Sequence, residues 1–147
     1  MVYIGIDPGA KGAYAWIWDG VVKSMPWDDV FFVQDMKCLA ATGEECIACV
    51  EKVGARPGQG VTSMFSFGKS AGYIEGVLTT LGIRFQLIPP MTWKRAFSLM
   101  GKEKKASIEV CRRLFPEADL KRTERCRTES DGKAEALLMA EWARRKM

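Results

Sequence analysis

Apolar positions in this chain come in short blocks whose period changes from one block to the next. Val2-Tyr3-Ile4-Gly5-Ile6, Ala13-Tyr14-Ala15-Trp16-Ile17-Trp18 and Val21-Val22-Lys23-Ser24-Met25 are short and rich in β-branched and aromatic residues, the pattern of strands. A glycine-rich turn follows the first, and Asp19-Gly20 is a strong hairpin signal between the second and third. Three antiparallel strands are therefore expected before any helix. Asp28 or Asp29 can cap a helix running to about residue 41, ended by Gly43. Residues 46–53 read as a fourth strand and are followed by a glycine- and proline-rich loop over 54–60. From Ser63, the residues Met64, Phe67, Ala71, Ile74, Leu78 and Leu81 recur at helical spacing, and residues 84–88 make a fifth strand stopped by Pro89-Pro90. Short helices are expected over 92–99 and 103–115, then a polar loop over 117–130, poor in apolar residues and suited to disorder or to ordering on a ligand, then a closing helix over 131–146. A helical crossover between strands four and five implies that they pair in parallel.

Acidic residues stand where this pattern brings elements together. Asp7 ends the first strand, Glu51 ends the apolar part of the fourth, and Asp131 and Glu135 lie one turn apart on the last helix. Wheel geometry puts Asp131 and Glu135 in one sector with Leu138 and Trp142, which should face inward. If strand four lies beside strand one, all four acids meet at the carboxyl edge of the sheet. Such a cluster is costly without a cation and suits two Mg²⁺ ions, with Mn²⁺ an acceptable substitute. One ion would generate a hydroxide nucleophile and the other would stabilise the departing oxygen of a phosphodiester. Histidine is absent, so metal-bound water is expected to do what a general base otherwise does.

Composition narrows the classes. The chain has 147 residues, 48% of them hydrophobic, enough for one domain spanning 1–147 with a core of its own. No apolar stretch approaches the roughly 20 residues of a membrane span, and the first residues enter a strand without a leader pattern, so an intracellular, cytoplasmic protein is expected. The five cysteines are an odd number and resemble no disulfide framework; Cys46 and Cys49 form a lone CxxC without the further ligands a zinc site needs. The net charge is +4, and residues 102–127 carry nine bases against five acids, so one basic face is available to a polyanion.

These residues also carry a resemblance. Ile4-Gly5-Ile6-Asp7-Pro8-Gly9, Glu51-Lys52-Val53, Gly58-Gln59-Gly60 before Met64-Phe65-Ser66-Phe67-Gly68-Lys69, Pro89-Pro90-Met91-Thr92-Trp93-Lys94 and Asp131-Gly132-Lys133-Ala134-Glu135-Ala136-Leu137-Leu138 resemble, in order and spacing, the RuvC-type Holliday junction resolvases. The short RuvC-like nucleases of phages and prophages are the nearest in kind. The resemblance covers nearly the whole chain. It implies a ribonuclease H-like α/β fold with five strands ordered 3-2-1-4-5, two-metal cleavage of four-way and other branched DNA, a homodimer, and a bacterial cell, phage-encoded or not, as the setting. Asp7 and Glu51 fall on the family's first two metal ligands and Asp131 with Glu135 on its last acidic motif. Family members commonly space those last acids three apart, whereas here they are four apart. Glu135 precedes Ala-Leu as the family's acid does, Asp131 has the better charge reach, and both are kept.

Backbone approach at Gly58 and Gly60, and donors on Gln59, Ser63, Lys69 and Ser70, would serve a DNA phosphate. Phe65, off the apolar stripe to which Phe67 belongs, would stack on an unpaired base. Lys102, Lys104 and Lys105 match a basic stretch that the family uses on the DNA backbone. A nuclease for RNA/DNA hybrids and a non-catalytic DNA-binding module of the same fold are the alternatives; an ATPase of the sugar kinase type shares the Asp-x-Gly turn but needs paired domains.

Overall fold

The computed structural model describes residues 1–147. Strands β1 (Val2–Asp7), β2 (Ala13–Trp18) and β3 (Val21–Pro26) form an antiparallel meander, followed by α1 (Asp29–Ala40), β4 (Cys46–Glu51), α2 (Val61–Thr80) and β5 (Arg84–Ile88). Three helices close the chain: α3 (Pro90–Ala96), α4 (Lys104–Leu114) and α5 (Asp131–Lys146). The sheet order is β3-β2-β1-β4-β5, with β1, β4 and β5 parallel. This is the mixed five-stranded ribonuclease H-like sheet that the resemblance implies, with the antiparallel start and the parallel β4–β5 pair that the pattern predicts.

Alternation along β1 sends Val2, Ile4 and Ile6 to one face and Tyr3, Gly5 and Asp7 to the other. The first face is covered by α1 and α2 through Phe32, Met36, Leu39, Ile74 and Leu78. The second carries α5, flanked by α3 and α4, in a cluster that includes Trp93, Cys111, Leu137 and Leu138. Helix α1 begins where the sequence places it: the Asp28 carboxylate accepts from the backbone N–H groups of Val30 and Phe31 at 3.0 and 2.9 Å. Cys46 and Cys49 belong to clusters on opposite faces of the sheet and all five cysteines are free, in keeping with a structural rather than a metal-binding CxxC.

Helix α5 lies unusually close to the sheet. A Cβ at Gly5 would stand 1.9 Å from the Ala136 carbonyl oxygen and 2.4 Å from the Ala140 nitrogen, so only glycine lets the helix seat there. At the start of α5, Gly132 plays a similar part against the Lys11 carbonyl, 2.9 Å from the corresponding position. Every residue from Gly132 to Ala143 except Glu135 is buried.

Several boundaries differ from the sequence expectation. Strand β4 stops at Glu51 rather than at 53, and α2 begins at Val61. Helix α3 starts at Pro90, because proline suits the first helical position, and ends at Ala96 rather than 99. Of the apolar stripe on α2 only Ile74 and Leu78 are fully buried. Twenty helical residues span about 30 Å, whereas six-residue strands span about 20 Å, so the first half of α2 overhangs the sheet. Phe67 is consequently 40% exposed. Loop 117–130 is irregular as expected, but it is tied to the body without a ligand. Leu120 is buried, Ser130 N–H donates to the Leu120 carbonyl at 2.6 Å, and the buried Lys133 donates Nζ to the Lys121 carbonyl at 2.7 Å.

Replacing Gly5 by Ala should therefore cost about 3 kcal/mol or more, since backbone rather than a movable side chain occupies the space. Urea unfolding of Gly5→Ala beside the wild type measures it, and a loss below about 1 kcal/mol would contradict so close a seat for α5.

Candidate metal centre

The register fixes two of the acids. β1 and β4 pair in parallel from Val2↔Cys46 to Ile6↔Val50, so Asp7 and Glu51 follow side by side at the carboxyl ends of adjacent strands. Glu135, one residue before the carbonyl that touches Gly5, is laid over them. One carboxylate oxygen from each of Asp7, Glu51 and Glu135 lies within 4.8 Å of the others. Asp131 lines the same cavity, of about 580 Å³, but stands outside this tight group, with its Oδ2 3.8 Å from Lys104 Nζ. Of Asp131 and Glu135, it is Glu135 that makes the close approach.

Burial raises the Asp7 carboxyl most, and repulsion from Glu51, Glu135 and Asp131 adds to it, pushing its pKa up to about 8. Burial likewise raises Glu135, with Glu51 and Asp131 adding repulsion and the Ser107 hydroxyl, 3.4 Å from its Oε1, opposing. Lys94 opposes both shifts without closing to an ion pair. Three half-buried carboxylates with too little positive charge fit a hard divalent cation, which takes oxygen donors and would restore their charge. The set holds no sulfur or imidazole, which argues against zinc in a structural role.

Helix α3 contributes residues to which the sequence pattern assigned no role. The fully buried Trp93 donates its indole Nε1–H to Glu51 Oε2 at 2.9 Å, fixing that carboxylate, and Lys94 beside it lines the cavity. Their signal was the Pro-Pro-x-x-Trp-Lys run, whose proline N-terminus sets the phase of the helix. Arg56, Gln59 and Lys104 complete the cationic and polar rim, and Gln59 Oε1 is enclosed there without a donor. Among the other residues read as DNA contacts, Ser63, Lys69 and Ser70 line a neighbouring cavity with Phe67. Phe65 lines neither cavity and is 73% exposed, whereas Phe67 lines the cavity that holds the carboxylates. Gly58 takes a left-handed φ of 79° in the loop and Gly60 caps α2. Lys102 and Lys105 are exposed beyond the rim, Lys105 with Glu103 at 3.7 Å.

The chain has the fold of the RuvC-type resolvases. Thermus thermophilus RuvC superposes with a TM-score of 0.55 at 20% identity, over 99% of this chain and 96% of that one. The same protein in complex with a Holliday junction substrate gives 0.56 at 16%, over 95% and 90%, and Fowlpox virus resolvase with its substrate Holliday junction DNA gives 0.51 at 18%, over 97% and 98%. No protein-family model and no curated protein sequence matches the chain. No helix is long and apolar enough to cross a membrane.

The raised carboxyls have a measurable consequence. A carboxyl whose pKa is higher folded than unfolded holds its proton more tightly in the native state, so stability falls as pH rises through the interval between the two values. For Asp7 that interval runs from 3.8 to about 8, and Glu135 acts in the same direction. In EDTA the protein should lose stability from pH 5 to pH 8, and Asp7→Asn should flatten the slope and be the more stable protein at pH 8. At that pH, millimolar Mg²⁺ should raise the wild-type melting temperature by binding the native state, and should do so less in Glu51→Gln. Urea and thermal unfolding test both statements; a flat pH dependence with no metal effect would contradict a clustered site.

Proposed function

We propose that the chain is a divalent-metal-dependent endonuclease that hydrolyses phosphodiesters in branched DNA, four-way junctions first. The observation that carries this reading is the convergence of Asp7, Glu51 and Glu135 within 4.8 Å, under-compensated and open to a cavity with a basic rim. The shared fold with junction resolvases supports the choice of substrate.

Asp7, Glu51 and Glu135 would hold the cations, with Asp131, on the wall of the same cavity, as a further oxygen donor. Bound there, Mg²⁺ or Mn²⁺ supplies the charge that activates water and offsets the negative charge developing on the phosphate and the leaving oxygen. The chain's own residues do the rest. Trp93 keeps Glu51 from turning away, Lys94 offsets charge on the phosphate side, and the orphaned Gln59 Oε1 can accept from a donor on the substrate or its solvent. Lys104, with Lys102 and Lys105 farther out, neutralises the arms, and Gly58, Gly60, Ser63, Lys69 and Ser70 line the path of the strand along α2. The setting proposed with this reading is the cytoplasm of a bacterial cell, whether the gene is the cell's or a phage's.

The decisive experiment compares a synthetic four-way junction, the matched duplex and an RNA/DNA hybrid, with Mg²⁺, Mn²⁺ or EDTA. The junction should be cut with metal and the linear substrates far more slowly; preferential hybrid cleavage would favour a hybrid nuclease, and binding without cleavage a DNA-binding module. Asp7→Asn should bind the junction at least as tightly as wild type and cut it at least about 1,000-fold more slowly, as loss of a charged ligand predicts. Near wild-type cutting by that variant would remove the centre from the reaction.

We further propose a homodimer joined through the exposed glycine face of α2, where Gly72 and Gly76 border a groove against Val33 and Lys37 of α1. Gly68, Gly72 and Gly76 recur every four residues there, none at positive φ, and nothing lies within 4 Å of a Cβ placed at any of them. Each costs about 1 kcal/mol relative to alanine in a helix interior, and no neighbour in the same chain accounts for it. A second copy crossing antiparallel at Gly72 would set each outer glycine against its counterpart, with the exposed Phe65 at the margin. Sedimentation equilibrium should give a dimer for wild type and a folded monomer for Gly72→Arg; a wild-type monomer at tens of micromolar would refute the interface.

A further inference from the structure

A second cavity, of about 560 Å³, opens beside the acidic one between the overhanging half of α2 and the start of α1. The two share Gly9, Ala10 and Phe67, so a strand lying across the carboxylates passes the mouth of the second. Its walls differ in kind. The α2 side offers the hydroxyls of Ser66 and Ser70 and the unpaired ammonium of Lys69, donors suited to a phosphate. The α1 side offers Trp27 and Asp29, with Trp27 Nε1–H donating to Asp29 Oδ1 at 2.8 Å and the Tyr73 hydroxyl donating to the Asp29 carbonyl at 2.9 Å. The indole bond holds the carboxylate and leaves its Oδ2 without a partner in the chain, while the Tyr73 bond ties the backbone of the first turn of α1 to α2. Phe67 completes the lining with a partly exposed ring. Hydrolysis at the metal centre uses neither Asp29 nor Trp27.

A cation and hydroxyls on the α2 wall, aromatic rings on both walls and an acceptor-only carboxylate on the α1 wall are the groups that a nucleotide's phosphate, base and base edge call for. We propose that this cavity receives one unpaired nucleotide of the strand being cut, its phosphate on Lys69, Ser66 and Ser70, its base against Phe67 and Trp27, and its edge on Asp29. The inference rests on the reading of the chain as a DNA nuclease. It also specifies a base. Guanine presents two adjacent donors, N1–H and N2–H₂, to a carboxylate, whereas thymine flanks its single N–H with carbonyls that the carboxylate repels. Asp29 would thus make guanine the preferred occupant and thymine the poorest, giving cleavage a base preference at a fixed distance from the crossover.

Two measurements test the proposal independently. In the first, junctions carrying each of the four bases, or an abasic site, at every nucleotide flanking the crossover are cut under single-turnover conditions by wild type and Asp29→Asn. At one position guanine should be cut at least about 10-fold faster than thymine or the abasic site, and Asp29→Asn should bring guanine close to the thymine rate while leaving the thymine rate within about two-fold. Equal rates for all bases at every position, or a guanine preference that survives in Asp29→Asn, would overturn it. The second needs no cleavage: in EDTA, 2-aminopurine at each flanking nucleotide reports stacking by loss of fluorescence on binding. One position should be quenched by wild type and not by Thr62→Trp, at a wall residue that takes no part in holding the nucleotide, whose added ring narrows the cavity while junction affinity stays within about three-fold. Junctions bound with no quenched position would sink the pocket even if the protein cuts them; a quenched position in a protein that cuts nothing would leave the pocket standing and reject the nuclease reading instead.

Discussion

The seat of α5 on β1 at Gly5 is the contact on which the functional geometry depends. Because side chains alternate along a strand, Gly5 and Asp7 face the same side, and a helix that touches the backbone at Gly5 must pass directly above Asp7. The Ala136 carbonyl meets Gly5, so its neighbour Glu135 arrives over the strand ends where Asp7 and Glu51 already stand together. Any side chain at position 5 would lift the helix and open the cluster. The glycine is thus a packing residue whose effect is read at a carboxylate two positions away.

Holding three acids together works against folding, and the magnitudes indicate what prevails. Raising the Asp7 pKa from 3.8 to about 8 corresponds to a cost on the order of 5 kcal/mol for keeping it ionised. Burial of Leu137, Leu138, Met139 and Trp142 on the same helix contributes on the order of 8 kcal/mol, so α5 can stay seated with the cluster strained. The strain is concentrated in groups that a cation relieves. Folding energy from apolar contacts is thereby stored as affinity for positive charge at one place, and the Trp93 indole ensures that Glu51 cannot escape by rotating to solvent.

Much of this was legible in the sequence because short-range rules governed it. Asp7 and Glu51 each close a six-residue buried strand, and once those strands are neighbours in parallel their ends must coincide. Asp131 and Glu135 share a helix sector with Leu138 and Trp142, and both apolar residues do pack inward. Helix spacing alone could not rank the two acids; the distance to the sheet does, and it depends on Gly5 and Gly132. The stripe on α2 misled for a related reason, since periodicity reports which side of a helix is apolar but not how far its cover extends. Phe67 lies on the buried side in angle yet past the end of the strands in height, and so becomes a cavity wall. Trp93 and Lys94 were visible as residues but acquired a role only when proline at the head of α3 set which way each points.

The overhang of α2 is what a sheet of six-residue strands leaves to a twenty-residue helix, and it divides the helix into parts with different work. The second half, through Ile74 and Leu78, fastens it to the sheet. The first half has no sheet beneath it, so each of its sides is free for something other than the core. One side borders the acidic cavity through Phe67, the next lines the second cavity with hydroxyls and Lys69, and the outward side carries glycines that nothing in the chain requires. Because the buried half is rigidly anchored, these surfaces stand at fixed angles to one another and to the carboxylates. On the proposed reading a strand, an unpaired nucleotide and a second protein copy would all be positioned by this one helix, so that its length, more than any single residue on it, links the acidic cluster to the surfaces around it.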